Sequence, residues 1–209
     1  MIARLRKAMS LKTLRRFAKG ERGVTAVEFA LVLPVVLLLL LGCIEIPRFV
    51  LVYQRLARTS SAVADLAAQA DDPITPEQVL DIFTAGKNMM EPYDIKADGR
   101  IYISSVNNPG GTGVKLTWQR NNNGAVTTAS KLGAQPAPPP ATPPAPTNLP
   151  AGISPGSNEE VLVAEVYFNY KPIFASKIYS GQQLYMAAYT RPRNKNLLTP
   201  PTPWPPPGL

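Results

Sequence analysis

The stretch "KGERGVTAVEFALVLPVVLLLLLGCIEIPR", Lys19–Arg48, decides how the rest of the chain is read. From Phe29 to Ile44 every residue is apolar, Gly or Pro, a run of about 24 Å as an α-helix. Extended to Val24–Ile46 it reaches about 35 Å, enough for a hydrocarbon core of about 30 Å. Eight cations precede it (Arg4, Arg6, Lys7, Lys12, Arg15, Arg16, Lys19, Arg22) against one acid, Glu21, which accounts for seven of the formal +8 charges. Only Arg48, Arg55 and Arg58 follow closely. The asymmetry predicts a cytoplasmic N-terminus and an exported remainder. A nucleic-acid-binding domain carries its cations on a folded surface. Here they sit on a short tail beside an apolar run, so the lipid bilayer is the expected partner and nucleic acid is not.

Three anchoring modes fit such a run. A plain single-span anchor needs only the length. A secretory signal peptide would be shorter and would be followed by a small-x-small cleavage site, which is missing. "LLGC" (Leu40–Cys43) matches a loose lipobox, in which Cys43 would carry lipid. As an unmodified residue, Cys43 is a small apolar helix residue.

Glu28 is the anomaly. A carboxylate in a membrane helix is costly, and its default reading is functional. In the first turn of a helix it would simply complement the helix dipole. If the chain is cut after Gly23, however, Val24 gains a free ammonium and Glu28 becomes mature residue five, one turn away. An acid that needs such a partner, on its own chain or a neighbour, acts as a register device.

These residues carry a resemblance. Gly23, the four residues Val24–Val27, then Glu28 and Phe29 resemble a class III signal peptide of type IV pilin-like proteins, in the tight-adherence (Tad/Flp) form. "GVTAVEFALVLPVVLLLLLGCIEIPRFVLVYQRLARTSS" resembles the opening of the TadE-like minor pseudopilins, and "AAYTRPRN" (Ala187–Asn194) is similar to their closing strand. Where many members carry F-G-R, this chain has Ile46-Pro47-Arg48. The resemblance implies cleavage between Gly23 and Val24 by a prepilin peptidase. It also implies a bacterial inner-membrane location with the C-terminal domain periplasmic. The implied partners are other pilins or pseudopilins and the inner-membrane pilus assembly platform.

Beyond the membrane segment, Phe49, Val52, Leu56, Thr59, Val63, Leu66 and Ala70 keep a 3-4 spacing that draws a seam along a helix. The seam can pack on the chain's own domain or on sister subunits in a bundle. One helix from Val24 to Ala70 would be about 70 Å long, and Pro34 and Pro47 should bend it. "TPEQVLDIFTAG" then predicts a second helix: Thr75 as N-cap, Pro76 in the first turn, Gln78 completing a capping box and Gly86 closing it. Ile101–Val106 and the alternating Val114–Gln119 read as a hairpin across "NNPGGTG". Val161–Tyr170 and Gln183–Thr190 supply two more strands. The fold class is α+β: a long N-terminal transmembrane helix, then a small antiparallel sheet with one short helix, pilin-like.

The expected layout is a basic cytoplasmic leader (1–23), a transmembrane helix (24–46), its extracytoplasmic continuation (47–70) and the first part of the head (71–134). A Pro-rich linker (135–157), the C-terminal strands (158–194) and a Pro-rich tail (195–209) complete it. Eight prolines between Pro136 and Pro150 predict an extended spacer with no packed core.

No enzyme is expected. The chain has no His and a single Cys, which removes the usual general base and the commonest zinc ligand. "GGTG" (Gly110–Gly113) leads into no helix, so it is no phosphate loop. Asp65, Asp71, Asp72, Glu159 and Glu160 are scattered, and neither cofactor nor metal is expected. The alternative function is an uncleaved or lipidated single-span envelope protein that tethers a binding module.

Overall fold

The computed structural model describes residues 21–71, 73–137, 142–174 and 181–193. The leader before Glu21 and the tail after Arg193 lie outside the described residues. The chain divides into two compact units, Met1–Pro47 and Arg48–Leu209.

Helix α1 spans Glu21–Gln69 and contains both Pro34 and Pro47. In the first unit its side chains from Gly23 to Leu40 are all exposed. Apolar residues such as Leu31, Leu38 and Leu39 are each more than 60% open. A helix that is apolar all round and uncovered has no internal core to explain it.

In the second unit α1 becomes one-sided. Val52, Leu56, Thr59 and Val63 are fully buried, as are Ala67 and Ala68. Phe49 is partly buried and packs on the same core, whereas Leu66 lies off this face and is 38% exposed. Ala70 follows the last helical residue and is buried. The seam is thus occupied by the chain's own head.

Helix α2 spans Pro76–Met90. Its capping box forms as the residues predict: the Gln78 amide N–H donates to Thr75 Oγ1 at 3.2 Å, and the Thr75 N–H donates to Gln78 Oε1 at 2.9 Å. Gly86 does not close the helix, which continues to Met90. Gly86 is a packing residue. A Cβ there would stand 2.8 Å from Ile101 Cδ1 and 2.9 Å from Val63 Cγ2, so the missing side chain lets α2 approach both α1 and the sheet. Helix α3 (Ile95–Asp98) is a single turn, with Asp94 Oδ1 accepting from the N–H groups of Lys96 and Ala97.

Four strands follow: β1 (Gly99–Asn107), β2 (Lys115–Asn121), β3 (Glu160–Tyr170) and β4 (Gln182–Thr190). They form one antiparallel sheet in the order β2-β1-β3-β4. Register assigns the two faces. Ile101 opposes Val166, Ile103 opposes Ala164, and Val166 and Phe168 oppose Met186 and Leu184. That face meets α1 and α2 in the main core with Ile74, Ile82 and Phe83. Each fully buried Leu, Val or Phe contributes about 1.5–3 kcal/mol, so this face supplies most of the cohesion of the head.

The other face carries Tyr102, Val106, Val161, Val163, Glu165, Tyr167 and Tyr185, and the segment between β2 and β3 covers it. Leu132, Leu149 and Ile153 pack on Val106, Leu116, Val161 and Val163. The Leu116 N–H of β2 donates to the Pro144 carbonyl at 2.8 Å, and Thr147 N–H donates to Leu132 O at 3.0 Å. The expectation of a spacer without core contacts is therefore corrected in the second half of the Pro-rich stretch. Leu149 and Ile153 give it apolar anchors. A proline lacks the N–H donor but keeps its carbonyl, so Pro144 can still accept at the β2 edge.

Candidate functional site

The residues singled out for processing and assembly all lie near the start of α1. Val24 is 60% exposed, Phe29 is 65% exposed, and Gly23 and Glu28 are exposed as well. Val24 and Glu28, four apart, share a helix face. Among the described residues no side chain pairs with the Glu28 carboxylate. This segment therefore presents a Gly-Val bond followed by an acid and an aromatic, on a stretch of helix whose side chains are uncovered among the described residues. α1 is also long and apolar enough to cross a membrane, the only such helix among the described residues. Cys43 is a free, exposed thiol in the same segment.

The head holds a polar cluster that sequence patterning does not single out. Glu165 is fully buried on the outer face of β3. Its Oε1 accepts from the Lys131 N–H at 3.0 Å, from Tyr185 Oη at 3.0 Å and from Tyr167 Oη at 3.4 Å. Its Oε2 accepts from the Ser130 hydroxyl. Lys131 Nζ stands 3.6 Å above the Tyr185 ring, and the Tyr102, Tyr167 and Tyr185 rings pack in series at 5.9 and 4.9 Å. Burial, followed by the negative charge of Glu165, raises Tyr167 and Tyr185 well above the ordinary tyrosine range, and Tyr189 is raised by the same causes. The arrangement fastens a loop. Every oxygen of Glu165 is already engaged, and each partner is a neutral donor, so the carboxylate has no free side to offer a substrate. A signal was available: Tyr185, Tyr189 and Tyr167 alternate onto one face, an apolar load too heavy for a solvated surface.

Among the described residues no three His, Cys, Asp or Glu side chains gather as metal ligands would. At the far end of the head, Arg193 pairs with Asp65, and its N–H donates to the Ala68 carbonyl at 2.9 Å. The stretch "RPR" (Arg191–Arg193) after β4 is thereby tied, through Arg193, to the last turns of α1. The ion pair is more than 45% exposed on both sides, so its role is positional and its energetic share small.

Residues 23–65 match the family model described as TadE-like protein. No curated protein and no solved structure matches the chain. The matched span opens at Gly23, covers the whole apolar run and ends at Asp65, inside the part of α1 that the head buries. The chain is thus similar to the TadE-like family over the segment from Gly23 to Asp65.

Proposed function

We propose that the chain is a minor pseudopilin-like structural subunit that helps assemble an adhesive Tad/Flp-type pilus, without catalytic activity of its own. It sits in the bacterial inner membrane by the apolar run, with its basic leader in the cytoplasm and its head in the periplasm. A prepilin peptidase cuts between Gly23 and Val24. The new Val24 ammonium then pairs with a Glu28 carboxylate, on the same chain or on a neighbouring pilin, and sets the register of packing.

The observation that carries this reading is where the TadE-like match begins: at Gly23, the residue on the amino side of the proposed cut. The geometry supports it in two ways. Val24 and Glu28 lie one turn apart on one helix face, and nothing within the described residues competes for the acid. The seam from Val52 to Ala70 is taken up by the head, so contacts with sister subunits fall to the uncovered apolar run and to the outer side of α1. Gly23→Ala tests the cleavage step in cells that carry the system. Full-length protein should accumulate in the membrane, and unchanged processing would refute the claim.

A further inference from the structure

We propose that the head rests on the bilayer surface through an apolar and aromatic belt at the end where the chain enters it. This rests on the membrane-anchor reading above and extends it to a second, peripheral contact.

Between Arg48 and Arg193, eight large apolar side chains among the described residues are exposed. Six of them (Val50, Leu51, Tyr53, Met89, Ile173 and Phe174) belong to the same end of the head; only Leu66 and Leu80 lie elsewhere. They come from three elements: the first turns of α1 past Pro47, the last turn of α2 and the loop after β3. Ring contacts hold those elements together. Phe49 meets Tyr170 edge-on at 5.3 Å, and Tyr93 meets Phe168 at 5.9 Å. The Arg48 guanidinium lies 6.0 Å from the Tyr93 ring and 5.9 Å from the Tyr170 ring, and Arg55 also faces Tyr93 at 5.9 Å. Ile173 and Phe174, 52% and 46% exposed, are therefore carried on a loop whose root, Tyr170, is locked to the first turn of α1 in this unit.

The opposite end of the head is different. There the turns read Asn-Pro-Gly-Gly-Thr-Gly (Asn108–Gly113) and Ser154–Asn158, and they are closed by polar bonds such as Gly110 N–H to Asn158 Oδ1 at 2.8 Å. A patch confined to one end of a small domain marks a contact surface. Its chemistry of aliphatic side chains, Tyr and Arg is that of a membrane–water interface, where aromatic belts sit and long cations reach headgroups.

The length scale agrees. Arg48 follows Pro47 directly, and Arg48 to Tyr53 rises about 8 Å along the helix. The headgroup layer on each side of the hydrocarbon is roughly 5–8 Å deep. If the hydrocarbon ends near Ile46, Val50 and Leu51, about 6 and 7.5 Å further along the helix, fall within that layer, and Tyr53, about 10 Å along, stands at its outer edge. Ile173 and Phe174 lie three and four residues beyond Tyr170, which touches Phe49, so the proposed contact brings them to the same surface.

The test uses full-length protein in a Cys43→Ser background, reconstituted in phosphatidylcholine–phosphatidylglycerol vesicles. Single cysteines replace Ile173, Thr112 at the opposite end, and Val36 in the apolar run. Each carries an environment-sensitive fluorophore, read against lipids spin-labelled at a shallow or a deep position. Position 36 should be quenched by the deep label. Position 173 should be quenched severalfold more than 112 by the shallow label, and little by the deep one. Quenching at 36 with 173 no different from 112 overturns the surface contact and leaves the anchor standing. Fluorescence at 173 that instead changes with the protein-to-lipid ratio overturns it in favour of a second protein copy. No quenching at 36 overturns the anchor reading itself.

Discussion

Glu165→Ala should loosen the outer layer of the head while leaving the helix-facing core intact. The carboxylate accepts four hydrogen bonds, from Ser130, the Lys131 N–H, Tyr167 and Tyr185. Two of those donors have other recourse. Tyr167 Oη also donates to the Ala129 carbonyl at 3.2 Å, and Tyr185 is only half-buried, so water can reach it. The Ser130 hydroxyl and the Lys131 N–H, both directed at a fully buried acceptor, lose their partner. Each buried donor left unsatisfied costs about 1–3 kcal/mol. Removing a desolvated charge offsets part of this, so the expected net loss is roughly 2–4 kcal/mol. Glu165→Gln keeps an acceptor for Lys131 and Tyr185 and should lose less than half as much. The assay is urea unfolding of the full chain in detergent, followed by Trp118 fluorescence in a Trp204→Phe background, with amide exchange at Lys131 and Leu132. An unchanged midpoint for Glu165→Ala, with unchanged protection at Lys131, would refute the reasoning.

Three further outcomes are expected. Gly86→Val should lower the thermal midpoint, because the new side chain meets Ile101 and Val63 at under 3 Å and overpacking of this kind costs about 1–3 kcal/mol; a scan with an unchanged midpoint would contradict the close approach. The raised tyrosines give an alkaline limit. Their folded-state values lie above the unfolded one, so the stability they contribute is complete below the ordinary tyrosine pKa of about 10 and is lost as pH climbs beyond it. Unfolding free energy should therefore be flat below that point and fall above it, and Tyr185→Phe should make the fall shallower; a slope that the substitution leaves unaltered would remove Tyr185 as its source. Finally, Glu28→Gln should still be cut after Gly23 yet enter the assembled machinery poorly, and wild-type incorporation would reject the register role of the acid.

Much of this fold is written locally. The Thr75–Gln78 capping box forms as its spacing demands, and the alternation of Leu162, Ala164, Val166 and Phe168 puts all four into the main core. Both signals depend only on neighbours in sequence. Gly86 shows the opposite case. Glycine after an apolar run is an ordinary helix terminator, but here it sits mid-helix because two other elements need the space, a tertiary fact with no local trace. Leu66 fails for a related reason: 3-4 spacing admits several faces, and the burial of Ala64, Ala67 and Ala68 shows that the head chose a small-residue face beside it. The Pro-rich stretch misleads because composition speaks of the whole segment, whereas its attachment depends on the two apolar residues Leu149 and Ile153. At the N-terminal site Gly23, Val24, Glu28 and Phe29 form a linear pattern that sequence alone can single out. The processing and pairing proposed for them involve a peptidase and a Val24 ammonium, on the same chain or a neighbour, and leave no trace in the packing of the head.

The most direct measurement is the intact mass and N-terminal sequence of the protein purified from its native membrane. A chain that begins at Val24 is the expected result, and it would make pairing between that new N-terminus and Glu28 the next bond to probe. A chain that still begins at Met1, or one that begins at a lipid-bearing Cys43, would contradict processing after Gly23 and with it the pseudopilin role.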